Sequence, residues 1–188
     1  MKYLKLFEGF EDIDNICKEY VIENYTINPD GSIDVEGDLD IRYYKLTKLP
    51  LKFNKINGSF NCNHNKLASL EGSPVEIDRY FDCSYNRLTS FEFSPNIIRG
   101  QFGCEHNNIK TFEYFPSFVG CCFFCWGNPI YYVWILFDDT TKIELLNDFD
   151  IFRDEDTDKP AIVMDRLNDF LLTIGKPTVE YVYGYKNI

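Results

Sequence analysis

A chain of 188 residues has room for one domain or one elongated array, and 45% hydrophobic with 26% charged residues is the composition of a folding chain, not a disordered one. The formal charge of −11 argues against phosphate backbones and anionic lipid surfaces as partners, so neither nucleic acid nor membrane binding is expected. There are 17 Phe and 13 Tyr while alanine stands only at Ala68 and Ala161, which excludes a bundle of strong helix formers and favours strand and turn.

The first ten residues carry Lys2, Lys5 and Glu8 among their apolar side chains and so lack the unbroken apolar segment of a secretory signal. The longest apolar runs, Cys121 to Trp126 and Ile130 to Phe137, fall short of the ~20 residues that span a bilayer. A soluble, cytoplasmic protein with reduced cysteines is the expectation. Asp12 to Tyr20 predicts a short amphipathic helix with Ile13, Ile16, Cys17 and Tyr20 on one side. Tyr25 to Ile27 and Ser32 to Val35 then read as the arms of a hairpin around Asn28, Pro29, Asp30 and Gly31. Residues 1–37 are assigned as an N-terminal cap.

From there the sequence repeats. Cys62, Cys83, Cys104 and Cys125 stand 21 residues apart, and Asn65, Asn86, Asn107 and Asn128 keep the same step. So do Phe60, Phe81, Phe102 and Phe123; Leu67, Leu88, Ile109 and Ile130; and Ile56, Ile77, Ile98 and Val119. Leu39, Ile41, Leu46 and Leu49 fall one period earlier, giving five units over 38–130. Alternation places Phe60 and Cys62 on one face of a short strand, and a constant period brings each strand beside the last at about 4.8 Å, so like residues stack in columns. An inward asparagine, with two donors and an acceptor, suits the buried backbone of the turn that follows. The ten or so residues left in each unit contain a proline and few helix formers, which predicts an extended return or a short 3₁₀ turn.

The pattern Phe-x-Cys-x-x-Asn-x-Leu-x-x-Leu, whole in Phe60 to Leu70, resembles the leucine-rich repeat family, and Leu46-Thr-Lys-Leu-Pro50 is similar to its short bacterial type. The resemblance implies an α+β leucine-rich repeat solenoid with a parallel sheet on its concave face, used chiefly to bind proteins. The chain departs from that family in its small cysteine at the second apolar position. With its Gly184-Tyr185-x-Asn187-Ile188 ending it also resembles repeat proteins of tailed bacteriophages, which implies a host-cell cytoplasm as its location.

Beyond Ile130 the period fails, and 131–188 is assigned as a C-terminal cap sealing the exposed end of the array. Thr141 to Glu144 reads as a capping box opening a helix through Phe149. A second helix is predicted from Pro160 through Ile174, with Gly175 and Pro177 ending it. Val179, Tyr181, Tyr183 and Tyr185 alternate like a final strand. Charge is uneven, with −6 in 1–37, +1 in 38–130 and −6 in 131–188.

Chemistry finds little purchase. His64 and His106, the two histidines, follow Cys62 and Cys104, yet strand alternation turns each cysteine inward, where a thiol is inert. Cys121, Cys122 and Cys125 hint at zinc but diverge in the repeat register and lack a second ligand pair. Asp154, Asp156, Asp158 and Asp165 fit positions of a calcium loop over 154–165, although Lys159 replaces the required glycine. No enzyme, metal or cofactor is expected. Candidate partner-binding residues are the outward ones: Asp40, Arg42, Asn61, Asn63, His64, Tyr80, Asp82, Tyr85, Glu105, His106, Phe124 and Trp126. Phe124 and Trp126 alternatively lie beneath the C-terminal cap. The expected function is therefore protein binding on the concave face, the alternatives being an assembly component, for example of a virus particle, that docks through its caps, and a calcium-binding protein. The oligomeric state is open.

Overall fold

Each 21-residue unit crosses two sheets, because the chain turns a corner between its phenylalanine and isoleucine columns. The computed structural model describes residues 12–153 and 160–188. The phenylalanine column builds a five-stranded sheet from β3 (Leu39–Asp40), β5 (Phe60–Asn61), β7 (Phe81–Asp82), β9 (Phe102–Gly103) and β11 (Phe123–Phe124). Every pair in it is parallel, and Leu39, Phe60, Phe81, Phe102 and Phe123 lie side by side in register. The second sheet runs β1 (Tyr25–Ile27), β2 (Ile33–Val35), β4 (Phe53–Ile56), β6 (Glu76–Ile77), β8 (Ile97–Ile98) and β10 (Phe118–Val119). Ile56, Ile77, Ile98 and Val119 are its register.

The return is extended, one of its two expected forms, and its strands pair into a second sheet where a single parallel sheet was expected. A constant period aligns backbone donors and acceptors wherever the chain is extended, and the β-branched column is extended too. The corner between the sheets is tight. A Cβ added at Gly58 would sit 2.3 Å from the carbonyl carbon of Gly37, and one at Gly120 would sit 2.1 Å from the Arg99 oxygen.

Between the sheets lies a continuous core. Phe60, Phe81 and Phe102 are fully buried and stacked, with centroids 5.4 and 5.5 Å apart. Burying each such ring contributes up to ~3 kcal/mol. The small cysteines Cys62, Cys83 and Cys104 alternate with them along each strand, and Leu67, Leu88 and Ile109 with Leu70, Phe91 and Phe112 close the third side, all buried.

At the N-terminal side, helical backbone over 12–19 (α1) buries Cys17, and the antiparallel hairpin β1–β2 joins the six-stranded sheet through the parallel pair β2–β4. At the other end come α2 (Tyr131–Trp134), a 3₁₀ turn (Thr140–Lys142), α3 (Ile143–Asp148), β12 (Phe152–Arg153), β13 (Ala161–Ile162), α4 (Met164–Thr173) and β14 (Lys186–Asn187). Trp134 and Phe137 close over the last rings of the core, 5.0 Å from Phe123 and 5.9 Å from Phe112. The whole is a mixed α+β fold with parallel sheets and few helices.

Three local expectations fail here. Asp139, not Thr141, caps the 3₁₀ turn that runs into α3, its carboxylate accepting from the Thr141 N–H at 2.9 Å. The segment after Pro160 is strand, because Ala161 and Ile162 pair with both β12 and β14, and α4 starts only at Met164. In the tail, Val182 and Tyr185 are buried while Tyr181 and Tyr183 are exposed. Tyr185 is anchored by its hydroxyl, which donates to the Lys110 carbonyl at 2.7 Å, so spacing by three replaces the expected alternation. The β14 strand follows at Lys186–Asn187.

Candidate functional site

The turn leaving each strand of the five-stranded sheet is built by the asparagine column. Asn65 donates through Nδ2 to the carbonyls of Ile41 (2.8 Å) and Cys62 (3.0 Å), and its Oδ1 accepts from the Leu46 N–H at 3.0 Å. Asn86, Asn107 and Asn128 repeat the arrangement one unit on each time. Each asparagine therefore ties its own unit to the one before, using every polar atom of its amide.

The tight turn puts the residue directly before each ladder asparagine, or before Tyr44 at the equivalent place in the first unit, into the left-handed region: φ is 63° at Tyr43, 52° at His64, 54° at Tyr85 and 51° at His106. Such a conformation costs a non-glycine residue ~1–2 kcal/mol. It also aims the rings the same way. Tyr43 stacks on His64 at 4.6 Å, His64 on Tyr85 at 4.3 Å and Tyr85 on His106 at 4.3 Å. The next position is Gly127, where a Cβ would approach His106 Nδ1 to 2.9 Å, and Trp126 instead closes the column edge-on at 4.0 Å. Because ring faces are covered by neighbours, Tyr85 offers mainly its edge and hydroxyl to a partner. Tyr85→Ala is expected to cost about 2 kcal/mol through two lost stacking contacts, and Tyr85→Gly only about 1 kcal/mol because glycine relieves the positive φ. Denaturant midpoints giving glycine as the worse substitution would contradict this.

The outward face of the same sheet holds a depression of about 410 Å³ lined by Arg42, Asn63, Tyr80, Asp82, Glu105 and Phe124. Its floor is Gly103, where a side chain would meet Glu105 Oε2 at 2.9 Å. The polar groups are held in place. Asn63 Nδ2 donates to Asp82 at 2.7 Å, the Ser84 hydroxyl to Glu105 at 2.6 Å, and the Ser84 N–H to Asp82 at 2.9 Å. Arg42 pairs with Asp40 at 2.7 Å on the rim, and the buried Oδ1 of Asn63 has no partner.

The sequence-derived candidates thus fall into two groups. Tyr80, Asp82, Glu105, Asn63, Arg42 and Phe124 meet around the depression, with Asp40 at its edge, while His64, Tyr85, His106 and Trp126 form the ring column beside it. Asn61 lines the depression as well; it is 7% exposed, and its Oδ1 accepts from the Asn63 N–H. Phe124 and Trp126 are 43% and 48% exposed and do not lie beneath the C-terminal segments. What the sequence did not reveal was the ring-on-ring stacking, although Tyr43, His64, Tyr85, His106 and Gly127 at constant spacing carried the signal.

A larger cavity, about 620 Å³, lies among the connecting segments between Leu51, Pro74 and Phe93. Lys52 in its wall already pairs with Asp30 at 2.6 Å. The depression is the better candidate because its polar side chains, on and just beyond the strands of the five-stranded sheet, are fixed by hydrogen bonds.

Burial pushes the thiols of Cys62, Cys83, Cys104 and Cys125 well above the usual cysteine range, and both histidines stack on tyrosines instead of facing a thiol. Cys125 is buried while Cys121 and Cys122 are exposed, and no group of three His, Cys, Asp or Glu able to hold a metal occurs among the described residues. Of the candidate calcium loop, Asp154, Asp156 and Asp158 lie outside the described residues, and Asp165 stands in the first turn of α4. Calcium is expected to leave the melting temperature unchanged. A site occupied at 100 times its dissociation constant would add ~2.7 kcal/mol, so a rise abolished by Asp154→Asn would contradict that expectation.

Among the described residues no helix is long and apolar enough to cross a membrane. No family model, curated protein or solved structure matches the chain.

Proposed function

We propose that this chain is a non-enzymatic protein-binding module, built as a leucine-rich-repeat-like solenoid of five 21-residue units whose five-stranded sheet supplies the concave, partner-facing surface. One observation carries the reading. On a scaffold whose inward residues repeat, the outward residues of successive strands do not: Asp40, Asn61, Asp82, Gly103 and Phe124 occupy one register position. Their variety converges on a depression rimmed by Tyr80 and Phe124, both exposed. Aromatic anchors beside a rigid polar floor are what interface hot spots require, since a few such side chains carry most of the binding energy.

The test is affinity purification of the native chain followed by mass spectrometry, repeated with Tyr80→Ala combined with Phe124→Ala. Both side chains sit outside the stacked column, so the double variant is expected to lose the partner at an unchanged melting temperature, truncation of an anchor costing ~2 kcal/mol or more of affinity. Retention of the partner by the double variant would contradict the reading.

A second reading keeps support from the ends of the chain. Residues 131–188 carry −6, and Leu172, Tyr181 and Tyr183 are 61%, 69% and 66% exposed there. An assembly component, for instance of a virus particle, would dock through this segment, and Tyr181→Ala with Tyr183→Ala would then be the variant that releases the partner.

A further inference from the structure

The corner between the two sheets changes character in the last unit. Gly58 and Ser59, Arg79 and Tyr80, and Gly100 and Gln101 occupy equivalent positions in the earlier units, and Cys121 and Cys122 take them in this one. These two are the exposed cysteines among the seven; Cys17, Cys62, Cys83, Cys104 and Cys125 are buried. Their Sγ atoms lie 3.4 Å apart, in contact, although consecutive residues on a regular strand point to opposite faces. The backbone fixes them so. The Cys121 N–H donates to the Gly100 carbonyl at 3.1 Å, the Cys122 carbonyl accepts from the Phe102 N–H at 2.9 Å, and Gly120, held by the Ile98 carbonyl at 2.9 Å, makes the close corner that turns both side chains outward.

We propose that Cys121 and Cys122 form a reactive vicinal dithiol, a site of reversible oxidation by small-molecule disulfides of the glutathione type. The thiolate of one cysteine attacks a sulfur of the oxidant, forming a protein–glutathione disulfide and expelling one glutathione thiolate, which takes up a proton. The neighbouring cysteine, already in contact, loses its proton and attacks the protein sulfur. A Cys121–Cys122 disulfide forms and the second glutathione leaves as a thiol, so two protein thiols are oxidised and one disulfide is reduced to two thiols. Consecutive Cα atoms are about 3.8 Å apart, closer than the ~4.4–6.8 Å usual for bridged cysteines, so the bridge is strained and readily reduced again. Strained and exposed bridges are the labile ones, unlike structural disulfides. The adjacent thiol also holds the Cys122 thiol above its usual range by sharing a hydrogen bond, which makes the first attack modest in rate at neutral pH.

The experiment treats the native 188-residue chain with excess oxidised glutathione at mildly alkaline pH and follows intact mass and peptide maps. The expected product has lost two hydrogens, carries no glutathione, contains a Cys121–Cys122 bridge and returns to the starting mass with dithiothreitol. Cys122→Ser, which removes the resolving thiol and lies at an exposed position, is expected to keep one stable glutathione on Cys121. Two results would overturn the proposal: wild type that accumulates stable glutathione adducts without closing, or wild type whose exposed thiols stay unreacted while the denatured chain reacts.

Discussion

Phe102→Ala is expected to lower the unfolding free energy by about 4 kcal/mol, the largest single effect in the array. The ring is fully buried in the middle of the phenylalanine column and packs against Phe81 at 5.5 Å, Phe123 at 5.4 Å, Phe91 at 5.8 Å and Phe115 at 6.0 Å. Its neighbours are pinned by two ladders of parallel hydrogen bonds and cannot collapse into the space, which is the condition for a cavity penalty at the high end. Repeat arrays rest on contacts between adjacent units, so a void here weakens the unit on either side. Chemical denaturation read by tyrosine and tryptophan fluorescence measures it. A shift equivalent to less than ~1.5 kcal/mol would mean that the column is not the close-packed core described.

Asn128→Leu is expected to cost about 3 kcal/mol despite adding apolar surface. Asn128 is 2% exposed; its Nδ2 donates to the Cys104 and Cys125 carbonyls at 2.9 and 3.0 Å, and its Oδ1 accepts from the Ile109 N–H at 2.9 Å. Leucine would leave the Ile109 N–H without a partner and take one hydrogen bond each from the Cys104 and Cys125 carbonyls, which keep Asn107 Nδ2 at 3.0 Å and the backbone N–H of residue 128 at 3.3 Å. Asn86→Leu, at a position only partly buried, is expected to be milder because water reaches the freed groups. Equal midpoints for wild type and Asn128→Leu would show that the asparagine column does not hold the turns together.

What the sequence disclosed and what it hid follow from the range of the forces involved. The columns were legible because repetition writes a tertiary contact, Phe81 on Phe102, as a fixed spacing along the chain. The role of the asparagines was legible for the same reason, since a polar residue recurring on an apolar face needs buried partners. The second sheet was hidden because its column, Ile56, Ile77, Ile98 and Val119, offers one repeating apolar position per unit, with no second one two residues away to show the alternation that Phe60 and Cys62 display. The start of α4 was hidden by pairing at a distance: Ala161 and Ile162 look like the opening of a helix until β12 and β14 flank them. Asn61 lies on the predicted face but is nearly covered, because exposure on a parallel sheet depends on side chains one unit away. The depression itself depends on a missing side chain at Gly103, which the sequence displays and only the fold explains.

Carbene footprinting of side chains, with and without the captured partner, tests the proposed function most directly, because it reads the exposed surface residue by residue. Binding on the five-stranded sheet predicts that Tyr80, Phe124 and Trp126 lose labelling when the partner is present, while Leu172, Tyr181 and Tyr183 keep it. Loss of labelling confined to Leu172, Tyr181 and Tyr183, with Tyr80 and Phe124 still fully labelled, would contradict it.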